Sequence, residues 1–405
     1  MTNKLRNSLI LLLLLLLATS AFAAGYFTND YVRYQHGGPV AAAGSSGQLG
    51  LFWEAWGFVQ NSYLGELPSE NDLAHGAIRG ALALLNDPYT VFIEPVVREQ
   101  ERVTLRGTFG GIGATLSRPD EQSDIILDPI PGNPAEVAGI QAGDRLLAVD
   151  GEPITIAMTV QEVANMIRGE KGTIVTLTVV HPSESEPVDI EIERDDILLP
   201  SVTYRLTLSD PSIGYIQLSR FSGESSNEIA EAITALEAAG AEALILDLRH
   251  NGGGLVDAAV SVSDHFLTAG DVLFQRSRGD GERIYRSSDD TLAPTIPLIV
   301  LVNGGTASAS EILAGALRDR DRAILVGQPT FGKGSVQLVY DLSDGSSIHV
   351  TSSRWYTPSR FEIDQQGLTP DYEVAITQED IDNGRDPILL RAIELLQEPV
   401  ASSRR

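Results

Sequence analysis

From about Leu199 onward the chain alternates short apolar runs with helical ones, and this rhythm limits its fold more than any other feature. Ile213–Leu218, Ala243–Leu248 and Leu298–Val302 read as strands, and 224–239, 255–267 and 308–317 as the helices that follow them. Alternation of this kind calls for an α/β layer around a mostly parallel sheet. Sites in such sheets lie at the carboxyl ends of the strands, and two of those ends carry unusual residues.

The first is a glycine nest. Leu244-Ile-Leu-Asp-Leu-Arg-His-Asn runs into Gly252, Gly253 and Gly254, and a helix follows. Glycines allow a sharp turn that aims several N–H groups at one point, and a helix N-terminus adds positive partial charge. Such a nest suits an oxyanion or a phosphate. Read alone, the segment fits a bare strand-to-helix turn equally well. His250 lies beside it and is read as a hydrogen-bonded loop histidine, because a better base is present.

The second strand end leaves Val302 through Asn303, Gly304 and Gly305 and enters a helix through Thr306, Ser308 and Ser310. A serine there can simply cap the helix. Then comes Gly327-Gln-Pro-Thr-Phe-Gly-Lys-Gly-Ser-Val-Gln. Gly327, Gly332 and Lys333 fit the spacing of a phosphate loop, but that motif needs Ser or Thr after the lysine and then a helix. Gly334 follows instead, and 335–342 reads as a strand. A lysine between glycines in an uncharged stretch is a candidate for desolvation, which disfavours the ammonium. A neutral amine can take a proton from a serine hydroxyl. A lysine on a surface turn is the plain alternative.

Together these islands resemble the carboxyl-terminal processing peptidases, also called tail-specific proteases. Thr306-Ala-Ser-Ala-Ser-Glu is followed 25 residues after Ser308 by Lys333. Asp87-Pro-Tyr-Thr, Phe109-Gly-Gly-Ile-Gly-Ala, Asp247-Leu-Arg-His-Asn-Gly-Gly-Gly and Gly367-Leu-Thr-Pro-Asp complete the match in order. The resemblance covers nearly everything after residue 50 and implies a multidomain α/β protein. Its parts would be a helical N-terminal region (49–104), a β-rich PDZ domain with short helices (105–195), a crotonase/Clp-protease-like α/β core with a mostly parallel sheet (196–377), and a helical tail (378–405). It implies Ser308 as nucleophile, Lys333 as general base and Gln337 as the residue orienting the lysine. Ala309 with Gly253 or Gly254 would form the oxyanion hole. Ser310 is the runner-up nucleophile on local pattern. Gly111, Ile112, Gly113 and Ala114 would receive a substrate's C-terminal carboxylate, and Arg168 falls where the family has an arginine tied to activation. No cofactor or metal is implied. His250 stands where the family more usually has Asn or Gly, and Thr357-Pro-Ser-Arg lacks a glycine often found there.

The resemblance therefore implies an exported serine endopeptidase acting on proteins with apolar C-terminal tails. Homodimers are common in the family, and the helical ends would serve as contacts in this chain. Two rival classes remain: a catalytically idle PDZ adaptor, and a crotonase-like acyl-transfer enzyme whose nest holds a thioester oxyanion. The three residues Ser308, Lys333 and Gln337 weigh against the first. The PDZ insertion and the lysine spacing weigh against the second.

Composition and the N-terminus fit this reading. The net charge of −26 repels phosphate backbones and makes nucleic acid an unsuitable partner. With no cysteine, disulfides and thiol nucleophiles are excluded. At the start, Lys4 and Arg6 precede an aliphatic run from Leu9 to Ala18 and an Ala21-Phe-Ala site. That is the layout of a signal peptide, and residues 1–27 serve equally as an uncleaved membrane anchor. Both place the rest of the chain outside the cytoplasm, in the periplasm or an equivalent space. Residues 28–48 read as a linker.

Overall fold

The computed structural model describes residues 49–398 except 121, 280 and 290. The expected signal or anchor, the linker and the last seven residues lie outside the described residues. Among the described residues no helix is long and apolar enough to cross a membrane. Two compact units divide between Ala77 and Ile78.

The described part of the first unit holds helix α1 (Leu49–Ser62) and the start of α2 (Glu70–Ala83). Helix α1 has the expected helical spacing, yet none of its residues is buried, and Leu51, Trp53 and Phe58 are exposed.

The helical region expected over 49–104 is present, with one addition at the start of the second unit. A short strand, β1 (Val91–Ile93), interrupts the helices before α3 (Pro95–Arg106). Three residues are too few to show a period, so this strand was hidden in the sequence. Pro95 opens α3, and Gly107 closes it at φ 83°.

A β-rich segment follows: β2 (Thr108–Gly111), β3 (Ala114–Ser117), β4 (Ile125–Pro129), α4 (Pro134–Ala138), β5 (Asp144–Val149), β6 (Glu152–Pro153), α5 (Val160–Ile167), β7 (Ile174–Val180), β8 (Val188–Glu193) and β9 (Asp195–Leu198). The β-rich character with short helices expected over 105–195 is present. Strands β3-β4-β5-β7-β8 form one antiparallel sheet around a separate core that includes Ile125, Leu127, Leu146, Val163 and Leu177. Helix α5 starts on a reciprocal capping pair: Glu162 N–H donates to Thr159 Oγ1 (3.2 Å), and Thr159 N–H donates to Glu162 Oε2 (2.7 Å).

The remainder runs β10 (Val202–Leu206), β11 (Ile213–Leu218), α6 (Ser225–Ala238), β12 (Ala243–Asp247), α7 (Val256–Asp264), β13 (Gly270–Ser277), β14 (Glu282–Ser287), β15 (Leu298–Val302), α8 (Ala309–Asp319), β16 (Ile324–Gly327), β17 (Ser335–Asp341), β18 (Ser347–Tyr356), β19 (Tyr372–Glu373), α9 (Gln378–Asp382) and α10 (Pro387–Gln397). The central sheet has the order β10-β11-β12-β15-β16-β19, and every pair except β10/β11 is parallel. Strands β12 and β15 are buried along their whole length, as central parallel strands covered on both faces must be. Ile229, Ile233, Val262 and Leu313 from α6, α7 and α8 join the core on one face. Ile388, Ala392 and Ile393 of α10 pack on the other, so the tail helix is a structural layer. A second, antiparallel sheet built from β1, β18, β13, β14 and β17 was not expected. Its longest strand, Ser347–Tyr356, is mostly polar and half-buried and carries little apolar signal.

Candidate active site

Three neighbouring strands deliver the candidate residues. Strands β12, β15 and β16 are parallel and adjacent, so their carboxyl ends lie side by side. The glycine nest leaves β12, Ser308 follows β15, and Lys333 follows β16.

The loops are fastened to one another. Ala307 N–H donates to Asn251 O (3.0 Å), Thr306 Oγ1 to Leu248 O (2.9 Å), and Phe331 N–H to Thr306 O (3.0 Å). Asn251, fully buried, donates its side-chain amide to Leu218 O (2.8 Å) and accepts the Gly253 N–H (2.9 Å).

Ser308 stands at the N-terminus of α8 with φ 56° and ψ −117°. An L-residue seldom occupies that region, and such strain concentrates at functional sites. The turn lifts the serine out of the helix start, and it is partly exposed. Gly253, at φ 104°, approaches so closely that a Cβ there would lie 2.8 Å from Ser308 Cβ and 3.0 Å from Ala309 N. The neighbouring Gly254, at φ 141°, has room only for hydrogen, since a Cβ would meet Phe221 O at 2.1 Å. Ala309 is the first residue of α8, so its N–H has no acceptor within the helix.

Ser310, the alternative nucleophile, is fully buried and donates its hydroxyl to Asn251 O (2.9 Å). His250 takes φ 61°, donates its N–H to Asn303 Oδ1 (3.0 Å), and has its ring against the Asn303 amide (3.0 Å).

Lys333 is partly buried, and burial holds its pKa below the ordinary lysine value, against the opposing pull of Glu101 and Glu311. Its Nζ lies over the Tyr89 ring, 5.3 Å from the centroid. Gln337 Nε2 donates to Ser335 Oγ (3.0 Å). Among the described residues no hydrogen bond joins Lys333 to Ser308 or to Gln337. Ser308 and Lys333 are tied instead through their backbones. Glu311 Oε2 accepts the N–H of Ser308 (2.9 Å) and of Lys333 (2.9 Å), and Oε1 accepts Gly332 N–H (2.7 Å) and the Thr330 hydroxyl (2.5 Å). Glu311 is wholly buried, and desolvation holds its pKa above the ordinary carboxylate value, against the opposing pull of these four bonds. Sequence reasoning placed Glu311 in the motif and gave it no role. Its spacing after Ser308 is that of a capping box, which was the available signal.

A second candidate region lies in the β-rich segment. A groove with an empty volume of about 400 Å³ is lined by Gly111, Ile112, Gly113, Ala114, Ile167 and Arg168, among others. The four residues expected to receive a carboxylate thus share one groove with Arg168. Arg168 lies over the Phe109 ring, 5.1 Å from the centroid. Among the described residues there is no cluster of three or more His, Asp or Glu that could hold a metal ion.

Comparison with known proteins settles the family. Residues 212–374 match peptidase family S41, and residues 125–180 match a PDZ domain. A carboxyl-terminal-processing protease of Synechocystis sp. is 36% identical over 352 residues, covering 85% of this chain and 82% of its own. The chain belongs to the carboxyl-terminal-processing proteases of peptidase family S41. It is a serine-type peptidase with a PDZ domain, and its substrates are proteins. A carboxy-terminal-processing protease of Bartonella bacilliformis is 35% identical, over 81% of this peptidase and 75% of the relative. Among solved structures, the photosystem II D1 C-terminal processing protease is 34% identical, covers 82% of this chain and 93% of its own, and superposes with a TM-score of 0.46.

Proposed function

We propose that this peptidase cleaves within the C-terminal tails of exported proteins through a Ser308–Lys333 acyl-enzyme mechanism, with the PDZ groove capturing the tail. The observation that carries the reading is the strained Ser308, set against the glycine nest and bound to the same carboxylate as Lys333. Ser308 Oγ attacks the scissile carbonyl while neutral Lys333 Nζ accepts its proton. The developing oxyanion is received by the Ala309 N–H and by the Gly254 N–H, since the Gly253 N–H is already donated to Asn251 Oδ1; each donor supplies about 2.7–4 kcal/mol of transition-state stabilisation. Lys333 returns the proton to the leaving amine as the C–N bond breaks, and water then hydrolyses the acyl-enzyme. Gln337 orients the lysine once substrate is bound. Hydrogen bonds of this kind are often long in empty sites and tighten with substrate.

The apolar lining of the groove favours tails ending in small or apolar side chains, with the Gly111–Ala114 loop receiving the terminal carboxylate. Residues 1–27 export the chain and either leave it or anchor it, so the peptidase works outside the cytoplasm. The uncovered apolar residues of α1 are suited to pairing two copies.

The test is cleavage of β-casein by the purified full-length chain, by Ser308→Ala and by Lys333→Ala. Loss in both variants, with unfolding midpoints retained, supports the mechanism. Activity surviving Ser308→Ala overturns it.

A further inference from the structure

Asp87-Pro88-Tyr89-Thr90 takes no part in the proposed chemistry, yet the fold fixes it with care. It follows α2 through Asn86, which turns at φ 52°. The Asp87 carboxylate accepts the Tyr89 N–H (3.1 Å) and the Thr90 hydroxyl (2.6 Å), closing a turn whose φ at Pro88 is set by the ring. Thr90 Oγ1 in turn accepts the Thr351 N–H (3.1 Å), and β1 continues along β18 with Val91 opposite His349. The turn is thus fastened within itself and to the sheet. What it delivers is one aromatic face, with Lys333 Nζ 5.3 Å from its centroid.

We propose that Tyr89 is a positioning residue for Lys333: its ring face holds the amine in place and helps set the pH at which the ammonium loses its proton. The inference rests on the reading of Lys333 as the general base. A cation over an aromatic face is favoured over the neutral amine, so the ring raises the lysine pKa and opposes the lowering by burial. The charged groups facing Lys333 are Glu101 of α3 and Glu311 of α8. His349 of β18 lies 3.2 Å from the Glu101 carboxylate, and Arg98 binds the same carboxylate at 2.7 Å. Tyr89 itself faces Asp87, Glu311 and Asp364, and with burial they push its own ionisation upward, so the ring remains a neutral phenol. All of these groups are retained when only the ring is exchanged.

The chain contains three lysines, Lys4, Lys171 and Lys333, which makes a direct measurement practical. Lysine labelled with carbon-13 at Cε gives three titrating signals in the full-length chain, assigned by Lys171→Arg and Lys333→Arg. Lys171, exposed and paired with Asp195 and Asp196, is the internal control. Tyr89→Leu keeps an apolar contact without the π face, and it should lower the Lys333 pKa by about 0.5–1 unit. Tyr89→Phe should leave it within about 0.2 unit, since the face is retained. In β-casein cleavage the acid limb of kcat/KM should move to lower pH in the Leu variant alone, with the plateau reduced about tenfold through misplacement of the amine. An unchanged Lys333 titration in Tyr89→Leu overturns the inference, as does a Phe variant displaced as far as the Leu variant. Should Tyr89→Leu not fold, Tyr89→Trp, with the stronger π face, must raise the Lys333 pKa; no rise overturns the inference equally. Activity surviving Lys333→Ala would refute the general-base reading alone, because the titration scores the ring contact without turnover.

Discussion

The carboxylate of Glu311 accepts the backbone N–H of Lys333 at 2.9 Å, and the same oxygen accepts the N–H of Ser308 at 2.9 Å. The candidate nucleophile and base therefore share one buried anchor that touches neither reactive atom. Four donors and no acceptor face the two oxygens, an arrangement only an ionised carboxylate satisfies fully. The anchor also explains how a serine can be held at φ 56°. A strained residue persists only where its surroundings over-determine it.

Glu311→Gln keeps the shape and replaces one oxygen with an NH2 group that faces donors. Each buried donor left unpaired costs about 1–3 kcal/mol. Two of the four are affected, so the variant should lose about 2–6 kcal/mol of stability. Since the Ser308 and Lys333 loops loosen together, kcat/KM should fall about 100-fold. Urea unfolding and β-casein cleavage measure the two effects. A variant that matches the parent in both would show that the carboxylate holds neither loop.

The glycine nest offers an internal control. A Cβ at Gly252 would meet nothing within 4 Å, whereas at Gly253 it would press on Ser308 Cβ at 2.8 Å with φ at 104°. Gly252→Ala should cleave casein within about threefold of the parent, as an unstrained surface change costs about 0.5 kcal/mol or less. Gly253→Ala should lose about 100-fold or more, because it displaces the nucleophile and its neighbouring oxyanion donor together. Equal activity of the two variants would mean that the nest is a turn and takes no part in catalysis.

Much of the fold was legible because burial writes itself into composition. Leu298–Val302 and Ala243–Asp247 are apolar throughout because both faces of their sheet are covered, and they place Ser308 and the nest. The antiparallel sheet was not legible, since β18 alternates Ser, Thr, His and Arg with few apolar residues. The lysine's surroundings were hidden for a different reason. Tyr89 and Lys333 are 244 positions apart, and the Tyr89 turn is carried to the sheet by β1 pairing with β18. The role of Glu311 was hidden by its own local grammar: a glutamate three residues after a helix-opening serine already has an ordinary explanation as a cap.

Lys333 carries a stability cost whose pH dependence can be signed. Burial depresses its folded-state pKa below the ordinary lysine value. Below the depressed pKa the ammonium is present in folded and unfolded chains alike, and the full cost of burying it is borne. Between the depressed value and about 10.4, the unfolded lysine binds the proton that the folded one has released, so stability rises with pH. Above that window the amine is neutral in both states and the cost has gone. Lys333→Met removes the charge and keeps an apolar side chain of similar length. The variant should be inactive yet unfold at a higher temperature than the parent at pH 7, and the difference should shrink as pH rises towards 10. Thermal unfolding of both proteins between pH 6 and 10 measures it. A parent more stable than Lys333→Met at pH 7 would mean that Tyr89, Glu101 and Glu311 outweigh burial. The lysine would then hold its proton too firmly to serve as the base.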